Sequence, residues 1–374
     1  MADPRRRAIV AVTNDLATDN RVARTCDVLT ELGYAVELVG RMLPGSLPME
    51  RPYGVRRWHL VFRKGPLFYA EYNIRLFLHL LFRPGALLVA NDLDTLPACF
   101  LAARLKGTEL VHDAHEYFTE VPELVGRPGV RRIWLALERA IFPRLKHVIT
   151  VNDSIADAYL ERYGMRPVVV RNIPQARPLG PLRSRAELGL PEDAFLLVLQ
   201  GAGINVDRGA EEAVLAMRSL EDCMLLIIGG GDALPVLQRM IVQEGLEDRV
   251  RLLPRMPYEE MMQYTRNADM GLTLDKDTNL NYRYSLPNKL FDYLKAGIPV
   301  LATDLPEVAA VVRRSGAGLI IPAPTPEAIA LAVQGSRAGG DRLKTLRQNA
   351  IFAAASLDGD REREALKALF QALG

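Results

Sequence analysis

Short, uninterrupted apolar runs alternate with amphipathic helical patterns along most of the chain. In the first half these runs are AIVAVT, AVELVG, ALLVA, ELVHD, HVITVN and PVVV. Parallel strands that are buried on both faces have this character, and the intervening helices serve as their crossovers. The alternation starts again at FLLVLQ, so the sequence predicts two Rossmann-like, doubly wound α/β domains in tandem.

The boundary between the domains is predicted at NIPQARPLGPLR, whose prolines lack the N–H groups that helices and sheets require. Two domains also suit 374 residues, because single cores stop growing at roughly 250 to 300 residues. We expect an N-terminal domain over residues 1–173, a linker over 174–183 and a C-terminal domain over 184–357. Residues 358–374 predict a helix that packs back on the N-terminal domain.

Charge and cysteine content argue against several classes of protein. The chain has 47 Lys and Arg against 45 Asp and Glu, so it lacks the basic excess expected of a nucleic-acid-binding protein. Cys26, Cys99 and Cys223 are too widely spaced for a disulfide framework or a zinc motif. No apolar run approaches the ~20 residues of a membrane-spanning helix. We expect a cytoplasmic protein with neither a cofactor nor a bound metal.

Ligands of doubly wound sheets bind at the carboxyl ends of the strands, and two glycine-rich loops of the second half occupy such positions. The loop QGAGINVDRG combines Gly201 and Gly203 with Arg208 at the start of a helix, which suits a phosphate group. A glycine-rich turn with a solvated arginine is the alternative. The loop IIGGGDALPVL contributes Gly230, and Asp232 is expected to cap the helix that follows.

The third loop of this half belongs to the segment NYRYSLPNKLFDYLKAGIPVLATDLPEV. Here Lys289 and Asp292 lie one helical turn apart, so a lysine for phosphate oxygens stands beside a carboxylate for ribose hydroxyls. An i,i+3 ion pair on the surface is the alternative, and it would contribute only a few tenths of a kcal/mol. The predicted donor-binding segment also includes Tyr284, Ser285, Leu286, Pro287 and Asn288.

In the first half, the strand ELVHD is followed by AHEYFTEVPEL. Asp113, His115 and Glu116 are candidate proton-transfer groups, whereas His112 is expected to be a core residue. Zinc is disfavoured because no third ligand accompanies the two histidines.

Two further loops carry polar residues in this half. The loop TNDLATDNRVART adds Asn14, Asp19 and Arg21 to the predicted acceptor side, and Asp19 or Asn20 is expected to cap the first helix. The loop NDLDT holds Asp92 and Asp94 in D-x-D spacing, and Asp94 is expected to cap the next helix rather than bind a metal.

Together these motifs resemble the retaining glycosyltransferases of family four, the group 1 type with the two-Rossmann GT-B fold. The resemblance is carried by DNRV, NDLDTLPA, HDAHEYF, RNIP, the Arg-Gly pair at 208 and 209, and SLPNKLFDYLKAGIPVLATDLPEV. It implies a ligand site in the interdomain cleft, with a nucleotide-diphosphate sugar held mainly by the second domain and an acceptor held mainly by the first.

The resemblance also implies roles for individual residues. Arg208 would neutralise the donor diphosphate with Lys289 as a second cation, Asp292 would bind the ribose, and His115 would orient the donor sugar. The family's mechanism is usually drawn with retention of the anomeric configuration. With these cations at the diphosphate, the reaction is expected to need no metal ion. The chain departs from the family at Tyr284, where the first of two glutamates spaced eight apart is usual, and near Gly203, where a second basic residue is usual.

Other functions remain open at this point. A nucleotide-sugar 2-epimerase of the same architecture would use acids and histidines for proton abstraction. A non-catalytic sugar-nucleotide binder is a further alternative because of Tyr284. A nicotinamide dehydrogenase is disfavoured, because TNDLATDN follows the first strand in place of a glycine fingerprint.

The segment VRRWHLVFRKGPLFYAEYNIRLFLHLLFRPG and the second basic stretch RRIWLALERAIFPRLK combine cations with apolar residues. One prediction is contact with an anionic membrane at the inner face, where a lipid-linked acceptor would be found. The residues expected to face the acyl boundary are Phe68, Tyr69, Leu76, Phe77 and Leu80. The alternative is that both segments are crossover helices packed on the sheet with solvated arginines.

Overall fold

The computed structural model describes residues 6–17, 19–46, 48–174, 179–357 and 359–373. The chain divides into two compact units: an N-terminal unit of residues 1–172 with 360–374, and a C-terminal unit of residues 173–359. Each contains a parallel sheet with crossover helices, as the sequence predicts. Part of the predicted linker, residues 175–178, lies outside the described residues.

The sheet of the N-terminal unit has seven parallel strands in the order β3-β2-β1-β4-β5-β6-β7. The strands are β1 Arg7–Asp15, β2 Ala35–Arg41, β3 Gly54–Trp58, β4 Ala86–Asn91, β5 Leu110–Ala114, β6 His147–Thr150 and β7 Val168–Val169. The helices are α1 Asn20–Glu31, α2 Pro66–Leu81, α3 Leu96–Lys106, α4 Pro122–Val125, α5 Pro128–Ile141 and α6 Asp153–Tyr163. Right-handed crossovers in this order place α1 on one face and α2, α3, α5 and α6 on the other.

The sheet of the C-terminal unit repeats this order with six strands, β10-β9-β8-β11-β12-β13. The strands are β8 Phe195–Gly201, β9 Cys223–Gly229, β10 Val250–Leu253, β11 Met270–Thr273, β12 Val300–Thr303 and β13 Gly318–Ile321. The helices are α7 Ala210–Ala216, α8 Leu234–Gln243, α9 Tyr258–Asn267, α10 Leu280–Arg283, α11 Asn288–Lys295, α12 Pro306–Ser315, α13 Pro326–Ala338 and α14 Gly340–Ser356. The strand order reverses at β8, which creates a switch point at the carboxyl ends of β8 and β11.

The last helix, α15 Gly359–Gln371, belongs largely to the N-terminal unit. Leu366 and Phe370 are buried in the same core cluster as residues of β1, β2 and β4. Glu362 accepts a hydrogen bond from the backbone N–H of Arg171 at 2.6 Å. The chain therefore returns to its first unit after completing the second.

The structure corrects two of the three predicted helix caps. Asp19 caps α1 by accepting a hydrogen bond from Val22 N at 3.0 Å, as predicted. Asp94 does not cap α3, because its Oδ2 accepts a hydrogen bond from the hydroxyl of Thr13 at 2.5 Å instead. Asp232 does not cap α8, because its Oδ1 accepts from Val206 N at 3.1 Å. Asp94 thus connects its loop to β1 and Asp232 connects two neighbouring loops, and local sequence reveals neither use.

The predicted membrane-facing side of α2 is also wrong. Phe68, Leu76 and Leu80 are buried, and they share this inner face of the helix with Tyr72. The crossover-helix alternative therefore describes this face, because α2 is apolar on both sides and its periodicity alone could not select one. None of the described helices is long and apolar enough to cross a membrane.

Candidate functional site

The loops after β8, β9 and β11 meet closely at the carboxyl edge of the C-terminal sheet. Gly229 has φ +139°, and a Cβ atom there would lie 1.8 Å from the carbonyl oxygen of Gly201. Gly209 has φ +75°, and a Cβ there would lie 2.3 Å from the carbonyl oxygen of Leu274. Only glycine allows these approaches, so the two loops predicted from their glycines do lie together.

The predicted cations gather around a buried carboxylate that the sequence analysis missed. Asp275, two residues beyond β11, is 1% exposed along its side chain and lies 3.4 Å from Nη1 of Arg208. The guanidinium of Arg208 also lies over the ring of Tyr282, 4.5 Å from its centroid. Ser285 donates a hydrogen bond at 3.5 Å to the other oxygen of Asp275.

Lys289 completes this cluster from the first turn of α11. Burial lowers the pKa of its ammonium group, Asp275 opposes that effect, and Arg208 adds to it by like-charge repulsion. Arg208 pairs with the buried carboxylate, and Lys289 lies close enough to both to interact with them electrostatically. A group of this kind can bind an anion without a metal ion.

Asp292 lies on the same helix as Lys289, and it is buried in a separate hydrogen-bond network. Its Oδ2 accepts a hydrogen bond from Gln200 at 3.2 Å, and its Oδ1 accepts one from the hydroxyl of Tyr258 at 3.0 Å. Burial raises the pKa of Asp292 to about 6, against the opposite effect of these hydrogen bonds. Each oxygen retains a lone pair, so the carboxylate can still accept hydrogen bonds from two hydroxyl groups.

The surface ion pair considered for Lys289 and Asp292 does not form. Both side chains are buried, and each faces different partners. The neighbouring residues of the predicted donor-binding segment differ in burial. Leu286 packs against the core and Asn288 is exposed. Tyr284 follows α10 and is half-buried.

A second cluster lies at the carboxyl ends of β4 and β5 in the N-terminal unit. Arg21 donates to Asp113 at 2.6 Å and to the carbonyl oxygen of Val170 at 2.9 Å. Nε2 of His115 lies 3.0 Å from Oδ1 of Asn91 and 3.4 Å from Oδ2 of Asp113. The structure thus brings together Arg21, Asp113 and His115, as the sequence analysis grouped them.

Asp92 holds His115 from its other side. Its Oδ1 accepts a hydrogen bond from the backbone N–H of His115 at 2.8 Å, and its Oδ2 lies 3.6 Å from Nδ1 of the ring. Asp92 itself has a left-handed backbone, φ 57°, which is uncommon for a residue other than glycine. Asp92, like Asn91, was missed as a partner of the histidine because the two loops are far apart in sequence.

These contacts determine the charge of His115. Burial lowers the pKa of the imidazole, but Asp92 and Asp113 outweigh it and raise the pKa to about 9. Arg21 and His115 hold the pKa of Asp113 well below its usual range although burial opposes them. Burial raises the pKa of Asp92 in turn, so Asp92 and His115 together retain a proton, and such a pair suits binding better than proton abstraction.

The remaining predicted residues of this unit lie apart from the cluster or beside it. Within the described part of the chain, Asn14 and Asp19 make no hydrogen bond or ion pair with the histidine cluster. Glu116 is half-buried and close enough to act electrostatically on Asp92. His112 is buried, as expected, with Nδ1 3.2 Å from the carbonyl oxygen of Ala90.

The described residues contain no group of three or more His, Cys, Asp or Glu placed to hold a metal ion. The polar clusters are instead built around arginine, lysine and histidine. Their chemistry is that of anion and hydroxyl recognition.

Comparison with protein families identifies the class of this enzyme. The model described as "Glycosyl transferases group 1" matches residues 183–351, and the model described as "Glycosyltransferase Family 4" matches residues 18–176. The protein is a glycosyltransferase, and the chain belongs to family four, the group 1 type. The matches cover most of each unit and include both clusters.

Individual relatives are distant in sequence. D-inositol 3-phosphate glycosyltransferase 1 of Catenulispora acidiphila is 23% identical over 292 residues, which are 72% of this chain and 68% of that protein. Sucrose-phosphate synthase from Thermosynechococcus elongatus superposes with a TM-score of 0.79 at 20% identity and covers 98% of this chain and 99% of its own. The Anabaena protein HepE, solved with UDP and glucose, gives 0.75 at 15% identity, with 98% and 99% covered. These structures share the GT-B fold.

Proposed function

We propose that the protein transfers a sugar from a nucleotide-diphosphate sugar to an acceptor hydroxyl, with retention and without a metal ion. The observation that carries this proposal is that Arg208 pairs with the buried Asp275 while Lys289, on the same helix as Asp292, interacts electrostatically with both. The cations suit the diphosphate, and the carboxylate suits the ribose hydroxyls. HepE, of the same fold, was solved with UDP-glucose, which is the kind of donor proposed here.

The reaction is a displacement at the anomeric carbon. The acceptor oxygen forms a bond to that carbon as the bond to the diphosphate oxygen breaks, and the acceptor proton passes to a donor phosphate oxygen. Arg208, Lys289 and the N-terminus of α11 stabilise the charge that develops on the leaving diphosphate. Attack on the face that the diphosphate leaves gives retention.

In this proposal His115 binds and orients the donor sugar as a hydrogen-bond donor. Its raised pKa argues against a role as general base, and therefore against the 2-epimerase alternative, which requires proton abstraction. The acceptor binds on the side of the N-terminal unit that carries Arg21, Asp113 and Glu116.

Calorimetry with UDP, GDP and ADP, each free and as sugar conjugates, tests the donor site. Arg208→Ala and Asp292→Ala are each expected to weaken binding of the preferred donor at least tenfold, because a hydrogen bond to a charged group contributes roughly 1.5 to 3 kcal/mol. Arg218→Ala is the control, since this exposed arginine pairs with Glu244 in the same unit. Unchanged affinity in both site variants would contradict the assignment.

Turnover separates the enzyme from the alternatives. Release of the nucleoside diphosphate with formation of a glycoside supports transfer, whereas a free sugar epimer indicates a 2-epimerase, and tight binding without turnover indicates a sensor. The coupling constant of the product's anomeric proton gives the configuration, and inversion would refute retention.

A further inference from the structure

Exposed apolar side chains are concentrated on α2, on the loop before it and on α3. On α2 they are Leu67, Ile74, Leu78 and Leu81, and Phe82 follows directly with 80% exposure. Their spacing places them on one side of the helix, opposite the buried Tyr72 and Leu76. One face of α2 thus packs on the core, and a second apolar face of the helix is exposed. A contiguous exposed apolar face of this kind is typical of an interaction surface.

The helix α3 extends this face. Lys106, at the end of α3, donates hydrogen bonds to the carbonyl oxygens of Leu80 and Arg83, so the two helices end side by side. Leu101 and Leu105 are 54% and 68% exposed on α3. We call the exposed apolar residues the α2–α3 surface: Val61, Phe62, Leu67, Ile74, Leu78, Leu81, Phe82, Leu101 and Leu105.

The charge around this surface is strongly positive. Residues 56–106 and 127–146 together contain fourteen Lys and Arg but four Asp and Glu, a formal charge of +10. The rest of residues 1–174 contains ten Lys and Arg against fifteen Asp and Glu. The second range includes α5, which adjoins α2 through a ring contact of Tyr69 with Trp134 at 5.0 Å.

Acidic residues neutralise part of this charge: Arg56 and Arg83 pair with Glu37, Arg57 with Asp15 and Arg131 with Glu120. Asp94 and Glu138 are buried, Asp92 interacts with His115, and Glu71 pairs with Arg75 at 2.7 Å. Exposed cations outside these ion pairs remain on the loop before α2, on α3 and on α5: Arg63, Lys64, Arg104, Arg132 and Arg139.

We propose that the α2–α3 surface docks the protein on an anionic membrane. Apolar side chains that enter the interfacial region, surrounded by cations that meet anionic headgroups, are the two features of a peripheral membrane contact. A second copy of the chain is a poor occupant, because it would bring the same positive charge against this surface. The proposal does not depend on the donor or the acceptor of the reaction.

Vesicle co-sedimentation of the full-length protein tests the proposal. The protein is expected to pellet with vesicles of phosphatidylcholine and phosphatidylglycerol in equal parts at low salt, to pellet weakly with phosphatidylcholine alone, and to be released as salt increases. The double variant Ile74→Glu, Leu78→Glu is expected to bind at least tenfold more weakly. The control is Leu331→Glu, an exposed leucine of the C-terminal unit.

Circular dichroism shows whether each variant is folded, so that a loss of binding is not mistaken for unfolding, and light scattering reports the oligomeric state. Lys64→Glu with Arg104→Glu is expected to weaken binding roughly fivefold or more for each cation. Failure of the wild-type protein to pellet with anionic vesicles at low salt would overturn the proposal. So would equal losses in the double variant and the control, or conversion of a dimer to a monomer without any vesicle binding.

Discussion

Replacing Asp292 by asparagine is expected to stabilise the C-terminal unit at neutral pH while it weakens donor binding. The carboxyl group is 6% exposed, and burial raises its pKa from 3.8 to about 6 although Tyr258 and Gln200 donate hydrogen bonds to it. The native state therefore holds this proton more tightly than the unfolded state does. Above pH 6 the ionised carboxylate is a destabilising group retained for its chemistry.

The size of the effect follows from the two pKa values. For an acid whose pKa is raised on folding, the stabilisation is complete below pH 3.8 and is lost as the pH rises through 6. The difference between 3.8 and about 6 corresponds to about 3 kcal/mol in the free energy of unfolding at pH 7. A neutral amide loses nothing over this range, so Asp292→Asn should gain up to that amount.

The surrounding hydrogen bonds can accept the amide. The hydroxyl of Tyr258 can still donate to the remaining oxygen of the side chain. Gln200 can turn its own amide over, so that its oxygen accepts from the new NH₂ group and its nitrogen donates to Thr265. The hydroxyl of Thr265, now 2.6 Å from the oxygen of Gln200, then donates to the carbonyl oxygen of Met261 at 3.0 Å.

Urea unfolding between pH 4.5 and 8 measures the effect, with calorimetry of the donor in parallel. The free energies of the wild type and the variant should be closest at the acid end and diverge with rising pH, while donor affinity falls at least tenfold. The control is Asp222→Asn, a carboxyl of the same unit whose side chain is 78% exposed. A variant that is less stable at pH 7, or a difference that does not change with pH, would refute the reasoning.

Two further outcomes are expected. Turnover should survive EDTA, because Arg208 and Lys289 are proposed to stabilise the charge that develops on the leaving diphosphate. A complete loss of turnover that magnesium reverses would show this role to be wrong. Phe370→Ala should lower the free energy of unfolding of the N-terminal unit by about 3 to 5 kcal/mol, since the ring is fully buried in its core. A denaturation midpoint unchanged from that of the wild type would mean that α15 contributes little to this core.

The sequence alone determined the two doubly wound units and several positions of the candidate sites. Uninterrupted apolar runs such as ALLVA and MLLIIG can be buried on both faces, and glycines such as Gly229 permit the close loop contacts that follow. Lys289 and Asp292 share α11 because helical periodicity is a property of neighbouring residues. These signals are local, and the tertiary contacts of the protein agree with them.

The partners of those residues were decided by tertiary structure. Asp275 meets Arg208, and Gln200 meets Asp292, only because the strand order places β11 beside β8 and α11 at their ends. The same holds for Asp92 and His115, which lie on loops after neighbouring strands.

The orientation of α2 required the structure for a related reason. A helix with apolar residues on both sides carries two acceptable burial patterns, and the sheet beneath it selects the one with Tyr72 and Leu76 inside. The pKa of His115 also depends on that assembly, since two carboxylates from separate loops raise it against the effect of burial. Charge and burial at a site are set by what surrounds a residue in space, and chain neighbours do not specify those surroundings.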